Sequence, residues 1–255
     1  MSLPVFGFVT VHEAALSDGV ACERDWLARV AATGRASAHL WRSPPALVAP
    51  RSHARLPHWA QVCAISAAEG WPVQLRLSGG GLVPQGPGML NLSLIWPAGT
   101  ASPSSTDAIY RALTDELAAA FARLGIEART QPVEGSFCDG RYNLAVGGRK
   151  CVGTAQAWRR VGGRPLVLAH AVVIATADPV AMTEVTNRFE VAAGGARRYR
   201  ADALTSLAQA WCDAHRERAA PADLQQRIIT VIAERFARIV PPRVHPESAT
   251  TTQET

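Results

Sequence analysis

Four short stretches carry residue types that do chemistry. Of the 26 residues that are lysine or arginine, one alone, Lys150, is lysine. Guanidinium supplies the charge everywhere else, so the single ammonium suits a place that wants a compact point charge beside one or two oxygens. A chance residue on a turn is the competing explanation, because Gly147-Gly148-Arg149-Lys150 reads as a hairpin turn, and composition leaves both open. Cys138, within Gly135-Ser136-Phe137-Cys138-Asp139-Gly140-Arg141-Tyr142-Asn143-Leu144, becomes a useful nucleophile beside a fixed cation; otherwise it is a small buried residue. His170, in Leu168-Ala169-His170-Ala171-Val172, either orients a substrate head group or satisfies a core hydrogen bond. In Arg76-Leu77-Ser78-Gly79-Gly80-Gly81-Leu82-Val83 three residues without Cβ atoms follow a strand. Backbone amides can there approach a flat or charged ligand, and Arg76 can grip an anion bidentately. Alone this stretch reads more often as a plain loop, and it is neither G-x-G-x-x-G nor a Walker sequence.

The elements that position these residues follow from periodicity and punctuation. Residues 20–34 read as a helix with Trp26, Leu27 and Val30 on one face and Gly34 as its stop. Ala46 to Ala49, Gln61 to Ser66, Val73 to Leu77 and Leu90 to Trp96 read as strands. Residues 105–124 form the clearest helix, capped by Ser104 or Ser105, striped by Ile109, Leu113, Leu117, Phe121 and Leu124, and ended by Gly125. Tyr142 to Val146 and Val152 to Trp158 make a hairpin around Gly147-Gly148, and Leu166 to Ala177 is a further strand. Two helices, about 203–219 and 222–239, close the fold, the second carrying Leu224, Ile228, Ile232, Phe236 and Ile239 before Pro241-Pro242. The expectation is one α/β (α+β) domain over residues 1–242, a mixed sheet flanked by helices, with a disordered polar tail over 243–255.

In their order and spacing the motifs resemble the lipoate-protein ligase and octanoyltransferase family, which shares its catalytic fold with biotin-protein ligases. The glycine stretch is similar to that family's Arg-Arg-x-Ser-Gly-Gly-Gly-x-Val signature. Gly148-Arg149-Lys150 with Gly153-Thr154-Ala155-Gln156 is similar to its Gly-(Arg/Lys)-Lys-x-x-Gly-(Ser/Thr)-Ala-Gln signature, the most specific part. His170 falls at a family histidine, and Thr205-Ser206-Leu207 resembles a later family element. The likeness runs from about Asp25 to about His215. It implies an acyl tunnel with Lys150 and Cys138 as catalytic residues. It also implies a substrate or acyl-adenylate site of Arg76, Ser78, Gly79, Gly80, Gly81, Asn143, Gly153, Thr154, Ala155, Gln156 and His170. Ligases of the family use ATP and Mg to activate lipoate; transferases take octanoyl from acyl carrier protein through a cysteine thioester. Both deliver to a lysine of a lipoyl-domain protein of the 2-oxoacid dehydrogenase or glycine-cleavage type.

Several positions depart from the pattern. Leu75 stands at the first arginine, Gln85 at a usual histidine, Ala171 at a usual glycine, and Tyr142-Asn143 where ligases carry Asn-Asp. The last change removes a carboxylate that Mg·ATP would use. The stretch after the catalytic motifs is also too short for the accessory domain of many bacterial ligases. The glycine run favours a ligase narrowly; Cys138 favours a transferase; a non-catalytic acyl- or partner-binding homologue is the third reading.

Composition bounds the rest. Apolar residues make up 48% and charged residues 18%, enough for a sizeable core. The net charge of +5 is spread over scattered arginines, which argues against nucleic acid and fits either a solvated basic surface or an acidic partner. The five cysteines, Cys22, Cys63, Cys138, Cys151 and Cys212, show no Cys-x-x-Cys spacing, so neither a zinc site nor a disulfide framework is expected. Alternation puts Cys151 on the face away from Lys150, and the other three read as core. The first residues lack a basic start and a long apolar core, so no signal peptide is expected, and the apolar run from Pro165 to Met182 reads as a buried strand. A cytoplasmic enzyme that is not membrane-bound is the overall expectation.

Overall fold

The computed structural model describes residues 3, 6–76, 78–99 and 105–237. Leu77, the alternative cap Ser104, Ile239, the Pro241-Pro242 stop and the tail expected over 243–255 lie outside the described residues. Ten strands are seen: β1 (Thr10–Val11), β2 (Ser37–Trp41), β3 (Ala46–Pro50), β4 (Val73–Arg76), β5 (Val83–Gln85), β6 (Met89–Pro97), β7 (Arg129–Gln131), β8 (Asn143–Val146), β9 (Arg149–Val161) and β10 (Arg164–Ile174). The helices are α1 (Gly19–Thr33), α2 (Trp59–Ala68), α3 (Thr106–Ala122), α4 (Pro179–Ala192), α5 (Leu207–His215) and α6 (Leu224–Ala237). Seven strands form one sheet in the order β1-β2-β6-β10-β9-β8-β7, and β4-β3-β5 form a smaller one. Both are mixed: β1 runs parallel to β2 and β3 to β4, and the other pairs are antiparallel. This is the α/β architecture that the sequence implied. No helix among the described residues is long and apolar enough to cross a membrane.

The two faces of the large sheet have different work. On one, Leu90, Leu92, Leu94 and Trp96 of β6 and Val167, Ala169, Ala171 and Val173 of β10 pack against α3 and α6. On the other, Met89, Asn91, Ser93 and Ile95 of β6 alternate out beside Leu168, His170, Val172 and Ile174 of β10. That face is covered by α1 and by the smaller sheet. Register sets Gly153 opposite Val172 and Ala155 opposite His170, so the Gly153–Gln156 motif lies on the central strands.

The helix over 20–34 is α1, whose Asp18 cap accepts from Ala21 N and whose stop, Gly34, has φ 70°. α3 is capped by Ser105. Gly147 and Gly148, with φ 56° and 79°, make the two-residue turn of the β8–β9 hairpin. Lys150 is therefore the second residue of β9 and not part of the turn.

Two expectations need correcting. Gln61 to Ser66, expected as a strand, lies inside α2, where only Val62 and Ser66, four residues apart, are buried. A short apolar run does not distinguish helix from strand by periodicity, and alanines in and around it favour helix. α4 was not anticipated at all: the apolar run ends as a strand at Ile174, and a helix begins at Pro179 with the Asp178 carboxylate accepting from Val180 N. Asp-Pro is a helix start, and Met182, Val185, Thr186 and Phe189 give the buried stripe. The helix expected over 203–219 is shorter, α5, preceded by a single tight turn at Ala201–Ala203.

Candidate active site

Lys150, Cys138 and the glycine run meet around the loop between β7 and β8. Cys138 sits there with φ 62°, in the left-handed region that non-glycine residues rarely adopt. Its carbonyl oxygen accepts from Lys150 Nζ at 2.7 Å and from Asn143 Nδ2 at 3.0 Å, and the Phe137 carbonyl accepts from Lys150 Nζ too. Asn143 Nδ2 also donates to Gly140 O at 2.9 Å, so this buried amide clips the loop shut. Lys150 is 3% exposed. Its own main chain is tied by Thr205 N donating to its carbonyl at 2.9 Å, which brings the Thr205-Ser206-Leu207 element to the site. Burial pushes the Lys150 ammonium down to about 8, while Cys138 and Asp139 pull the other way. Gly153 packs closely on it: a Cβ there would lie 3.1 Å from Lys150 Cε and Nζ.

The glycine run packs on the same loop. Gly80 has φ 111°, and a Cβ on it would meet Arg76 Nη2 at 2.9 Å and Cys138 Sγ at 3.0 Å. Arg76 does not reach outward for an anion as the sequence suggested. It donates to Val48 O, Gly79 O and Gly81 O, which holds the run against β3. Burial lowers its pKa. From the far side Tyr199 OH accepts from Leu82 N at 3.2 Å and donates to Glu190 Oε1 at 3.2 Å, and Glu190 Oε1 lies 2.9 Å from His53 Nε2. Tyr199→Phe leaves a buried amide without its acceptor, a loss of about 1–3 kcal/mol. The expected result is a lower urea midpoint at unchanged m. An unchanged midpoint would show that the loop is held otherwise.

Two cavities meet at Cys138. The first runs between the sheet and the covering elements and is lined by Val48, Val83, Met89, Phe137, Val172 and Ile174, with Ser78, Gly79, Lys150 and Gly153 at one end. Its wall also carries a polar cluster around His170 whose acidic member, Glu23, the sequence did not mark. His170 Nδ1 lies 2.6 Å from Glu23 Oε1, Ser93 Oγ donates to Glu23 at 2.7 Å, and Trp41 Nε1 donates to Ser93 Oγ at 2.9 Å. Gln85 and Asn91 exchange amide hydrogen bonds at 3.0 and 2.8 Å. His170 thus stands two residues along the strand from Val172, about 7 Å away, on the wall and not beside Lys150. No local motif marks Glu23; it reads as one more polar residue in a surface helix until β10 places His170 against it.

The second cavity, about 360 Å³, shares Cys138 with the first and is lined by Gly80, Asp107, Tyr110, Tyr142, Asn143 and Gln156 among others. Gly79, Cys138, Thr154, Ala155 and Gln156 line both. Thr154 Oγ1 donates to Tyr142 O at 2.6 Å. Cys151 points to the opposite core, as alternation implied, and burial pushes its thiol up to about 12. Cys22, Cys63 and Cys212 are half-buried, more open than a core reading implied.

Carboxylates are few around the second cavity. Mg prefers carboxylate oxygens, and among the described residues the second cavity offers one, Asp107, paired to Arg141 at 3.4 Å. Glu23, in the first cavity, is engaged by His170 and Ser93. Among the described residues no group of three His, Cys, Asp or Glu is placed to hold a metal.

A mixed sheet flanked by helices is the fold of lipoate ligase-like structures. The fold is similar to a T. acidophilum protein of lipoate protein ligase type solved with bound lipoic acid (TM-score 0.61, 13% identity, 92% of this chain and 86% of that one). It is also similar to lipoate-protein ligase A bound with ATP (TM-score 0.53, 14% identity, 93% and 96%). A family model, the lipoyl protein ligase A/B catalytic domain, matches residues 19–229, and the chain belongs to that family. Among relatives, an uncharacterised protein of Cupriavidus necator is 45% identical over 71% of this chain and 76% of its own length. Octanoyl-[GcvH]:protein N-octanoyltransferases of Kyrpidia tusciae and Geobacillus kaustophilus are 36% and 32% identical over 70% and 58% of this chain. The chain spans 64% and 51% of the length of these two.

Proposed function

We propose that the protein is a cysteine-dependent acyltransferase that moves a medium-chain acyl group, octanoyl or lipoyl, onto a lysine of a lipoyl-domain protein through a thioester on Cys138. The observation that carries this reading is the position of Cys138 at the junction of an apolar cavity and a polar one, on a loop fixed by Lys150 and Asn143. The narrow lean toward an ATP-dependent ligase gives way because two of the three relatives named above are octanoyltransferases, and because the second cavity offers a single carboxylate, already paired. The names of those two relatives give octanoyl-GcvH as donor, so an acyl-lysine on a lipoyl-domain protein is the donor this reading favours, with acyl carrier protein as the alternative.

The chemistry needs two things from the chain. The Cys138 sulfur attacks the acyl carbonyl; the C–S bond forms, the bond from the acyl carbon to the donor's lysine nitrogen (or carrier sulfur) breaks, and the thiol proton leaves with that group, while the negative charge that develops on the oxygen needs a fixed positive partner. Lys150 is that partner. Two of its hydrogens serve the Phe137 and Cys138 carbonyls and a third is left for the acyl oxygen. The apolar cavity takes the alkyl chain and keeps water from the thioester. The test is intact-protein mass spectrometry after incubation with octanoyl donor and no ATP: one added octanoyl group on Cys138 is the expected result. An acyl-adenylate formed only with ATP would overturn the reading.

The pH profile is a second test. Lys150 loses its proton near pH 8 rather than 10.5, so kcat should fall as pH rises through about 8. Stability should move the other way. Between about 8 and 10.5 the unfolded chain holds a proton that the folded one has released, so stability rises with pH there. A kcat plateau extending to pH 10 would rule out a charged Lys150 as the needed form.

A further inference from the structure

We propose that Tyr199 is a positioning residue for the transfer: wedged between the glycine run and the Cys138 loop, it fixes where the nucleophile stands. This rests on the reading of Cys138 as the nucleophile. Tyr199 belongs to the connection between α4 and α5, and that connection reaches every piece of the site. Its hydroxyl accepts from Leu82 N at 3.2 Å, at the end of the glycine run. Its ring packs edge-on against Phe137, next to Cys138, with centroids 5.2 Å apart at 64°. Arg200 N donates to Gly135 O at 2.8 Å, at the start of the same loop, and Thr205 N donates to Lys150 O at 2.9 Å. Run and loop come so close at the wedge that a Cβ on Gly81 would lie 2.7 Å from Tyr199 OH and 3.5 Å from Cys138 N.

α4 holds the wedge from behind. Asn187 Nδ2 donates to Tyr199 O and Asn187 Oδ1 accepts from Tyr199 N, both at 2.8 Å, so the main chain is gripped on both sides. The hydroxyl donates its proton to Glu190 Oε1 at 3.2 Å, which leaves its oxygen to accept from Leu82. Burial and the Glu190 carboxylate keep the phenol protonated, its pKa raised. Glu190 is itself 1% exposed and held by His53 Nε2 at 2.9 Å. Main chain, ring and hydroxyl of Tyr199 are therefore all fixed. In a close-packed interior such a side chain transmits a displacement to its neighbours instead of absorbing it. Its neighbours are the two loops that set Cys138: Gly80 of the run would put a Cβ 3.0 Å from Cys138 Sγ.

Ring and hydroxyl have separable tasks. Tyr199→Phe frees Leu82 N and keeps the ring on Phe137; Tyr199→Leu removes both holds. The ring matters for Lys150 as well, because the Phe137 carbonyl accepts from Lys150 Nζ. The groups that face this ammonium are Cys138 and Asp139 of the loop, Arg76 of β4 and Cys151 of its own strand. Neither variant alters any of those charges. Burial is the largest cause of the lowered Lys150 pKa, so a loosened Phe137 that admits water raises it again. A tyrosine that merely filled the core would leave that titration where it is.

Two measurements test the wedge, with Ile228→Val as the reference for plain loss of stability. Ile228 is buried on the other face of the large sheet, and that substitution costs a comparable amount. In hydrogen exchange, Tyr199→Phe should speed the Leu82 amide about tenfold and leave residues 135–143 as they are. Tyr199→Leu should speed both, and Ile228→Val neither. In transfer of octanoyl to a lipoyl-domain acceptor, Tyr199→Leu should lower kcat about 10²-fold and move the limb near pH 8 upward. Tyr199→Phe should recover most of that rate and keep the limb, and Ile228→Val should keep both. An unchanged Leu82 amide in the phenylalanine variant overturns the proposal, whether or not the leucine variant folds. So does a leucine variant whose limb stays near pH 8, or whose rate is no lower than that of Ile228→Val. If no acyl-enzyme forms, the nucleophile reading fails, while the exchange result still decides whether Tyr199 holds the two loops.

Discussion

Cys138→Ser should lower acyl transfer by about 10³-fold or more while leaving the fold intact. The hydroxyl is close in size, and the loop geometry depends on main-chain and neighbouring groups: the Cys138 carbonyl, Lys150 Nζ and Asn143 Nδ2. What is lost is the nucleophile, because a hydroxyl beside the same cation is far harder to ionise than a thiol. None of the other cysteines can replace it. Cys151 faces the opposite core and burial holds its thiol up at about 12, and burial also raises the thiols of Cys22 and Cys63. Neither these two nor Cys212 lines either cavity. The measurement is transfer of octanoyl to a lipoyl-domain acceptor, with circular dichroism to check folding. Retained ATP-dependent transfer by the serine variant would return the protein to the ligase reading.

The motif residues were legible because their chemistry is local. Gly79 to Gly81 announce a loop without side chains, and the solitary Lys150 stands out by composition. The hairpin turn of Gly147 and Gly148 sets Lys150 on a strand beside the Cys138 loop. Contacts made across the fold were not legible. Arg76 looked like an anion grip because the sequence does not show that Val48 O, from a different strand, and the loop's own carbonyls would take its donors. His170 left two readings open, a head-group residue or a core hydrogen bond, and only register, which places it opposite Ser93, and α1, which brings Glu23 to it, show its partners, 77 and 147 residues away. The same holds for Tyr199 and Leu82, 117 residues apart. α4 was missed for another reason. Its apolar positions follow directly on those of β10, so two periodicities merged into one run, and only Asp178-Pro179 marked the change.

Lys150→Arg should cost about 10²–10³ in kcat, the usual loss when one fixed donor to a developing oxyanion is removed, although charge is kept. The ammonium sits 3% exposed between two carbonyls, with Gly153 so close that even a Cβ would lie 3.1 Å from Nζ. A planar guanidinium is wider and directs its hydrogens in a fixed fork, so it cannot serve Phe137 O, Cys138 O and an acyl oxygen from that place. Overpacking would add about 1–3 kcal/mol of strain, so Lys150→Met, of similar length and without charge, is the companion variant. If position 150 acts through its ammonium, both variants lose transfer. The methionine variant should also lose the fall in kcat near pH 8, since the group that titrates there is gone. Near-normal transfer by the arginine variant would mean that the solitary lysine is an accident of composition. A methionine variant that kept the limb near pH 8 would mean that another group carries it.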